Sequence, residues 1–240
     1  MKIKRIISEW IADSELNKTL HVRIITDKGV FSGSAPQGTS KGSYEAVYIG
    51  TEEAVIHVDE IIPQLKKIPP NDLTALDKYL ESLGGERMRH YGGNVAIALS
   101  SAWTKMSAFA NNMSTEEYIA KLLGTKPKIP LPCFNLINAG LHGAFDKKNK
   151  PFNPIQELML IPVSDSFEQG YEKIMLVFQN LKKISGESLV GKEGGISPKL
   201  PFTKSLQLLE KSIKEAGYMT RDFRVALDAA ASEFYDIKTK

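Results

Sequence analysis

The chain of 240 residues contains one cysteine, no basic block longer than a pair or so, and no apolar run near the roughly 20 residues that span a bilayer. Each scarcity excludes something. A single cysteine, Cys133, rules out an internal disulfide and fits a reducing cytoplasm. It lies in the apolar run Cys133-Phe134-Asn135-Leu136-Ile137, where it reads as a buried, inert thiol. No segment calls for a membrane. The N-terminus has basic residues but only a broken apolar run, ended by Asp13 and Glu15, so it lacks a signal-peptide core. The 31 basic and 28 acidic residues are scattered and leave a formal net charge of +3, so nucleic acid is not implied.

What remains is ordinary globular material, 42% hydrophobic and 25% charged, enough for one large domain or two modest ones. Residues 2–11, 20–26 and 29–35 read as three strands. The last two are joined by Asp27-Lys28-Gly29, a tight hairpin signal that makes the group an antiparallel meander. The stretch from Ala35 to Ser43 is too rich in Gly and small polar residues to be an element, and reads as a surface loop of the kind that closes over ligands. Gly33 and Gly38 have the glycine spacing of a phosphate-binding P-loop, but Thr39 stands where the lysine should be, and that reading fails.

From about 52 to 124 the periodicity is helical. Asn71 is expected to cap a helix carrying Leu73, Leu76, Leu80 and Leu83 that stops at Gly84-Gly85. Asn94 is expected to open a second over Val95 to Ala110, apolar on most faces and so buried. Ser114-Thr115-Glu116-Glu117 has capping-box form for a third, ending at Gly124. Three prolines between Lys126 and Pro132 mark a boundary between one domain over 1–126 and another over 131–240.

Beyond that boundary Cys133–Ala139 and Ile155–Ile161 read as strands. Ser164–Ser185 reads as a long amphipathic helix with Phe167, Tyr171, Ile174, Val177, Phe178 and Leu181 in its stripe. A short apolar piece around Leu189-Val190 follows, then a helix over Thr203–Ala216 stopped by Gly217, then a strand from Phe223 that delivers Asp228 at its C-terminal end. In a parallel α/β domain an acid beyond a strand end reads as a site residue, while the alternative is an Asp capping whatever follows. His142, Glu157, Glu193 and Asp228 all fall near strand ends. Three carboxylates and one imidazole on such loops suit oxygen-ligand metal binding and acid/base work, since Mg2+ prefers carboxylates and keeps some waters. The residues by themselves lead to a metal-dependent lyase or hydrolase and no further.

At these positions the sequence resembles the enolases, or phosphopyruvate hydratases. Their loop S-G-A-S-T-G-x-x-E-A appears as Gln37 to Ala46, N-x-G-x-H as Asn138 to His142, and Q-E-F-M as Gln156-Glu157-Leu158-Met159. G-D-E-G-G-x-x-P appears as Gly191 to Pro198, and A-L-D-x-A-x-S-E-F-Y as Ala226 to Tyr235. The resemblance implies an α+β N-terminal capping domain, a three-stranded meander plus helices, followed by an α/β TIM-type barrel that opens β-β-α-α. It implies the Mg2+-dependent, reversible dehydration of 2-phosphoglycerate to phosphoenolpyruvate, a step of glycolysis and gluconeogenesis, in the cytoplasm. By matching position Asp228 is expected to bind the first Mg2+ and Ser40 the second. Glu193 is the acid that helps the hydroxyl leave, Glu157 supports it, and His142, Glu157 and Gln156 contact the substrate.

Three departures accompany the match. The family's D-S-R-G-N-P-T reads here Asp13-Ser14-Glu15-Leu16-Asn17-Lys18-Thr19, near a surface the family uses for pairing. The acid before Glu193 has become Lys192, and a nearby cation favours the ionised carboxylate, opposite to what a general acid needs. A TIM-type barrel takes roughly 250 residues, far more than follow the proline-rich boundary. The family's other two metal carboxylates and its base lysine are therefore expected from a complementing C-terminal half; a homo-oligomer is also expected, since an open barrel leaves an unpaired strand edge. The rival expectation is a non-catalytic, enolase-like binding or regulatory protein.

Overall fold

The computed structural model describes residues 1–38, 40–186, 190–191 and 194–235. They form two compact units. The first comprises residues 1–38 and 44–128, the second residues 40–43 and those from 129 on.

In the first unit β1 (Ile3–Ala12), β2 (Lys18–Thr26) and β3 (Val30–Ala35) form the expected antiparallel meander in that order. The hairpin closes as its residues predict: Thr26 N–H donates to the Gly29 carbonyl at 2.9 Å, and the Thr26 hydroxyl accepts from the N–H groups of Lys28 and Gly29 at 3.0 Å. Alternation along β2 puts Leu20, Val22 and Ile24 on one face, fully buried. Against this face pack α1 (Thr51–Leu65) and α3 (Gly93–Ala110), with α2 (Leu73–Gly84) and α4 (Thr115–Leu123) packed on α3. β3 comes so close to α3 that a Cβ at Gly33 would overlap the Ala98 carbonyl, which gives that glycine a packing role in place of a phosphate-binding one. Within the helical stretch, α1 is a separate element with Ala54, Val58, Ile61 and Leu65 buried at helical spacing.

Two caps differ from expectation. The cap of α2 is Asp72, whose carboxylate accepts from the Ala75 N–H at 2.9 Å, and not Asn71. Asn94 lies inside α3 and spends its amide on the loop before α1, donating to the Ile49 carbonyl at 3.1 Å and accepting from the Ile49 N–H at 3.3 Å. The Ser114–Glu117 capping box forms as read, and Gly124 ends α4 in the left-handed region.

In the second unit β4 (Phe134–Asn138), β5 (Glu157–Pro162) and β6 (Phe223–Asp228) form a sheet in that order. One of its faces is covered by α5 (Phe167–Ser185) and α6 (Phe202–Glu215). The chain order β4-β5-α5-α6-β6 is the β-β-α-α opening of the expected barrel, and among the described residues no barrel closes. Both neighbour pairs are antiparallel, unlike the parallel sheet from which Asp228 was first read. Leu158, Leu160, Ile174, Val177, Leu181, Leu209, Ile213 and Phe223 seal the sheet against the two helices. At the start of α5 the stripe departs from its reading. Phe167 and Tyr171 are both 47% exposed and stack on each other, with ring centroids 6.4 Å apart. Cys133 precedes β4 and is exposed, not buried. Its Sγ lies 3.4 Å from Met159 Sδ, and partial desolvation and the Glu157 charge both raise its pKa. The apolar piece expected around Leu189-Val190 lies in part outside the described residues; Val190 bridges Ile196, which also pairs in parallel with Ile137 of β4.

Candidate active site

Strand register brings the second unit's polar side chains to one end of its sheet. Asn138, the last residue of β4, stands opposite Glu157, the first of β5, and Glu157 stands opposite Asp228, the last of β6. The antiparallel arrangement puts the start of β5, where Glu157 stands, at the same edge as the ends of β4 and β6.

His142 follows β4 in the tight turn Gly140–His142. Gly140 has φ +49°, and a Cβ there would sit 3.1 Å from the Gln156 Cα, so a larger residue would push the turn off β5. The imidazole is buried, with its Nδ1 3.2 Å from Glu157 Oε1. With an ionised Glu157 as acceptor, Nδ1 is the donor of this bond, which fixes the ring orientation.

Gln156 connects the remaining candidates. Its side chain is 2% exposed, and its Nε2 lies 3.3 Å from Asp228 Oδ2 and 3.4 Å from the Ser40 hydroxyl. The amide orientation follows from the partners, because turning it would aim a carbonyl oxygen at a carboxylate. Asp228 Oδ1 also accepts from the Ala230 N–H at 2.9 Å, in a turn where Ala230 takes φ +45°, a strained value for a residue with a side chain. Asp228 closes this turn without capping the short helix that follows, whose N-cap is Ala230, and its Oδ2 faces Gln156. Segment 40–43 is further held by Glu233 Oε1, 3.3 Å from the Lys41 N–H, a contact the sequence reading passed over although Glu233 lies inside a quoted motif.

Several polar atoms here are buried without a hydrogen-bond partner: both amide atoms of Asn138, Nδ2 of Asn153, Oε1 of Gln156 and Oγ of Ser197. Burying such groups unpaired costs about 1–3 kcal/mol each, the pattern of a site that receives polar ligands. Glu193 and its neighbour Lys192 lie outside the described residues. Ser40 and Asp228 offer a hydroxyl and a carboxylate, oxygen donors of the type Mg2+ prefers, so they fit that ion in kind. Among the described residues no group of three or more His, Cys, Asp or Glu could hold a metal, so they do not complete a coordination shell.

Comparison with known proteins covers almost the whole chain. The enolase N-terminal domain model matches residues 3–119, and the enolase C-terminal TIM barrel domain model matches residues 126–240. An enolase of Saccharolobus islandicus is 37% identical over 98% of the chain, which covers 58% of that relative. One from Mastigamoeba balamuthi is 32% identical over 98% of the chain, and enolase B of Dictyostelium discoideum 32% identical over all of it; the chain covers 57% of each. It therefore spans less than three fifths of the length of these curated relatives.

Proposed function

The chain belongs to the enolase family, and on that premise we propose that it supplies the N-terminal part of a Mg2+-dependent hydro-lyase that interconverts 2-phosphoglycerate and phosphoenolpyruvate. On this reading residues 1–126 are the capping domain and residues 131–240 begin the barrel. The remaining metal carboxylates and the base lysine come from further polypeptide, and the enzyme works in the cytoplasm, in glycolysis and gluconeogenesis. The observation that carries the proposal is the Gln156 amide, which reaches both the Asp228 carboxylate and the Ser40 hydroxyl beside the His142–Glu157 pair.

Each described residue then has a task. Asp228 and Ser40 would hold Mg2+, which when bound lowers the cost of the negative charge that builds up on the substrate carboxylate. Gln156 keeps those two donors oriented. His142 contacts the substrate through the ring edge left free by Glu157, and the Glu157 charge anchors that ring. Glu193 passes a proton to the departing hydroxyl, with Glu157 in support.

The test is an assay of 2-phosphoglycerate dehydration with Mg2+, using the chain alone and mixed with the C-terminal half of a relative. Turnover is expected only in the mixture, and its loss on Asp228→Ala or Glu193→Gln ties it to these residues. An inactive mixture of folded parts counts against the proposal.

A second reading, a non-catalytic binding or regulatory protein of the same family, is favoured by Lys192 and by the lack of a three-ligand cluster among the described residues. Calorimetric titration of the completed assembly separates the two, because Mg2+-dependent binding of a 2-phosphoglycerate analogue argues against a pure interaction role.

A further inference from the structure

Between His142 and Gln156 the chain leaves the end of the sheet and returns as a short hairpin. Its root is fixed at the site, where the Gly140 N–H donates to the Asn153 carbonyl at 2.8 Å and the Ala139 N–H to the Gln156 carbonyl at 2.7 Å. Farther out Phe145 and Pro151 form an antiparallel bridge. The tip is a turn in which the Asp146 N–H donates to the Lys150 carbonyl at 2.8 Å and the Asn149 N–H to the Asp146 carbonyl at 3.0 Å. Asn149 takes φ +57°, a left-handed value that asparagine adopts more readily than most residues.

This tip carries Lys147, Lys148 and Lys150, all exposed, and none of their ammonium groups has an ion-pair partner among the described residues. The one carboxylate of the hairpin, Asp146, accepts from the backbone N–H groups of Lys148 at 2.8 Å and Lys150 at 2.9 Å. It orders the turn and is held on the backbone instead of on an ammonium group. Over residues 143–152, three lysines against one aspartate leave a formal charge of +2. These charges are tethered to the site. Five residues of chain span at most about 18 Å, so Lys147 stays within one Debye length of His142 at about 10 mM ionic strength, where that length is about 30 Å. At physiological salt a length of about 8 Å cuts the same field back. The substrate of the proposed reaction, on which this inference rests, carries a phosphate and a carboxylate. We propose that the hairpin is an electrostatic collector for the site, in which Lys147, Lys148 and Lys150 raise the local concentration of phosphorylated carboxylate anions and speed their entry without touching the reacting atoms.

Two measurements test this. In the assembly completed by a relative's C-terminal half, the triple variant Lys147→Glu, Lys148→Glu, Lys150→Glu should lower kcat/KM about tenfold or more at about 10 mM ionic strength, with the loss falling on KM. The difference from wild type should shrink to about twofold or less at about 0.3 M salt. Lys78→Glu, Lys204→Glu and Lys211→Glu together, at exposed positions on α2 and α6, make the same change in net charge and should cost about twofold or less. A hairpin variant with the kcat/KM of wild type, or equal losses in the two triple variants, overturns the proposal and leaves the hydro-lyase reading standing. The second measurement needs no turnover. Phosphoenolpyruvate titrated into the isotope-labelled 240-residue chain at the same low ionic strength is expected to shift the NMR signals of the amides of residues 146–150 more than those of Lys78, Lys204 and Lys211, and the shift should vanish in the hairpin variant. Hairpin amides that stay still, or that move no more than those of the other lysines, overturn the proposal even where the completed assembly is inactive. A hairpin-specific shift beside an inactive assembly supports the collector and counts against the reaction alone.

Discussion

The two units bury their polar groups in opposite ways. In the first, buried polar side chains are used up by the fold. Thr19 donates to the Ala35 carbonyl at 2.7 Å, Thr51 to the Lys18 carbonyl at 2.9 Å and Ser107 to the Pro70 carbonyl at 3.0 Å, while Asn94 is paired twice with Ile49. Among the described residues only Trp103 Nε1 is left over there. In the second unit orphaned amide and hydroxyl atoms are left on Asn135, Asn138, Asn153, Gln156 and Ser197, and of these Asn138 lies opposite Glu157 at the sheet end. The hydrophobic cores differ in the same sense, with twenty-one buried apolar side chains in the first and eleven in the second among the described residues. A buried donor satisfied by backbone stabilises the fold, whereas one left open is a cost that binding can repay. The first unit therefore satisfies its buried polar groups from within, and the second leaves several of them open.

That contrast can be broken by substitution, with unfolding in urea as the readout. Leu99→Ala empties a fully buried site in the first unit and is expected to cost about 3–4 kcal/mol. Leu160→Ala in the second unit, whose sheet is covered on one face, should cost about 2–3 kcal/mol. Equal losses would weaken the comparison. Asn94→Ala removes two bonds to Ile49 and should cost about 2 kcal/mol, whereas Asn138→Ala removes an amide with no partner and should cost under about 1 kcal/mol. A larger loss at Asn138 would mean that its amide already has a structural task.

Smaller effects refine the account of the first unit. Ser114→Ala, which opens the capping box of α4, should cost about 1 kcal/mol. Leu16 holds φ +65° at the position where the family pattern has glycine, so Leu16→Gly should stabilise by about 0.5–1 kcal/mol, with a higher melting temperature as the check. Asp77, on α2, has a pKa raised chiefly by desolvation, with Glu81 adding to the rise and a Ser100 hydrogen bond opposing it. A raised carboxyl favours the folded state below its unfolded pKa, and that contribution is lost as pH rises through the folded value. Asp77→Asn should therefore raise the melting temperature slightly at pH 7 and leave it unchanged at pH 3. The gain should be only a few tenths of a kcal/mol, because solvent screens a half-exposed group.

Local rules carried much of the fold. The Asp27-Lys28-Gly29 turn, the capping box at Ser114 and the strand over residues 20–26 depend on neighbours in sequence, and these elements formed as read. The misses have a common cause, since each depends on what lies across space. Asp72 displaced Asn71 as a cap, and Asn94 turned to Ile49 through a contact 45 residues away. Phe167 and Tyr171 fall at helical spacing in α5 yet stay 47% exposed, because periodicity names a stripe and cannot say what covers it. Motif positions named Ser40, His142, Gln156, Glu157 and Asp228. Nothing in their spacing said that a single amide would reach two of them.

The sequence by itself determined the elements, the order β-β-α-α-β of the second unit and the family, because periodicity, caps and motifs are written in neighbouring residues. Tertiary structure decided the direction of the strands. Antiparallel pairing of β5 brought Glu157 level with Asn138 and Asp228, and the register of β6 set Val225 and Leu227 on the face of Leu160 and Leu158. Those outcomes turn on which backbone groups meet across the sheet, and a hydrogen-bond ladder joins residues that are far apart in the chain.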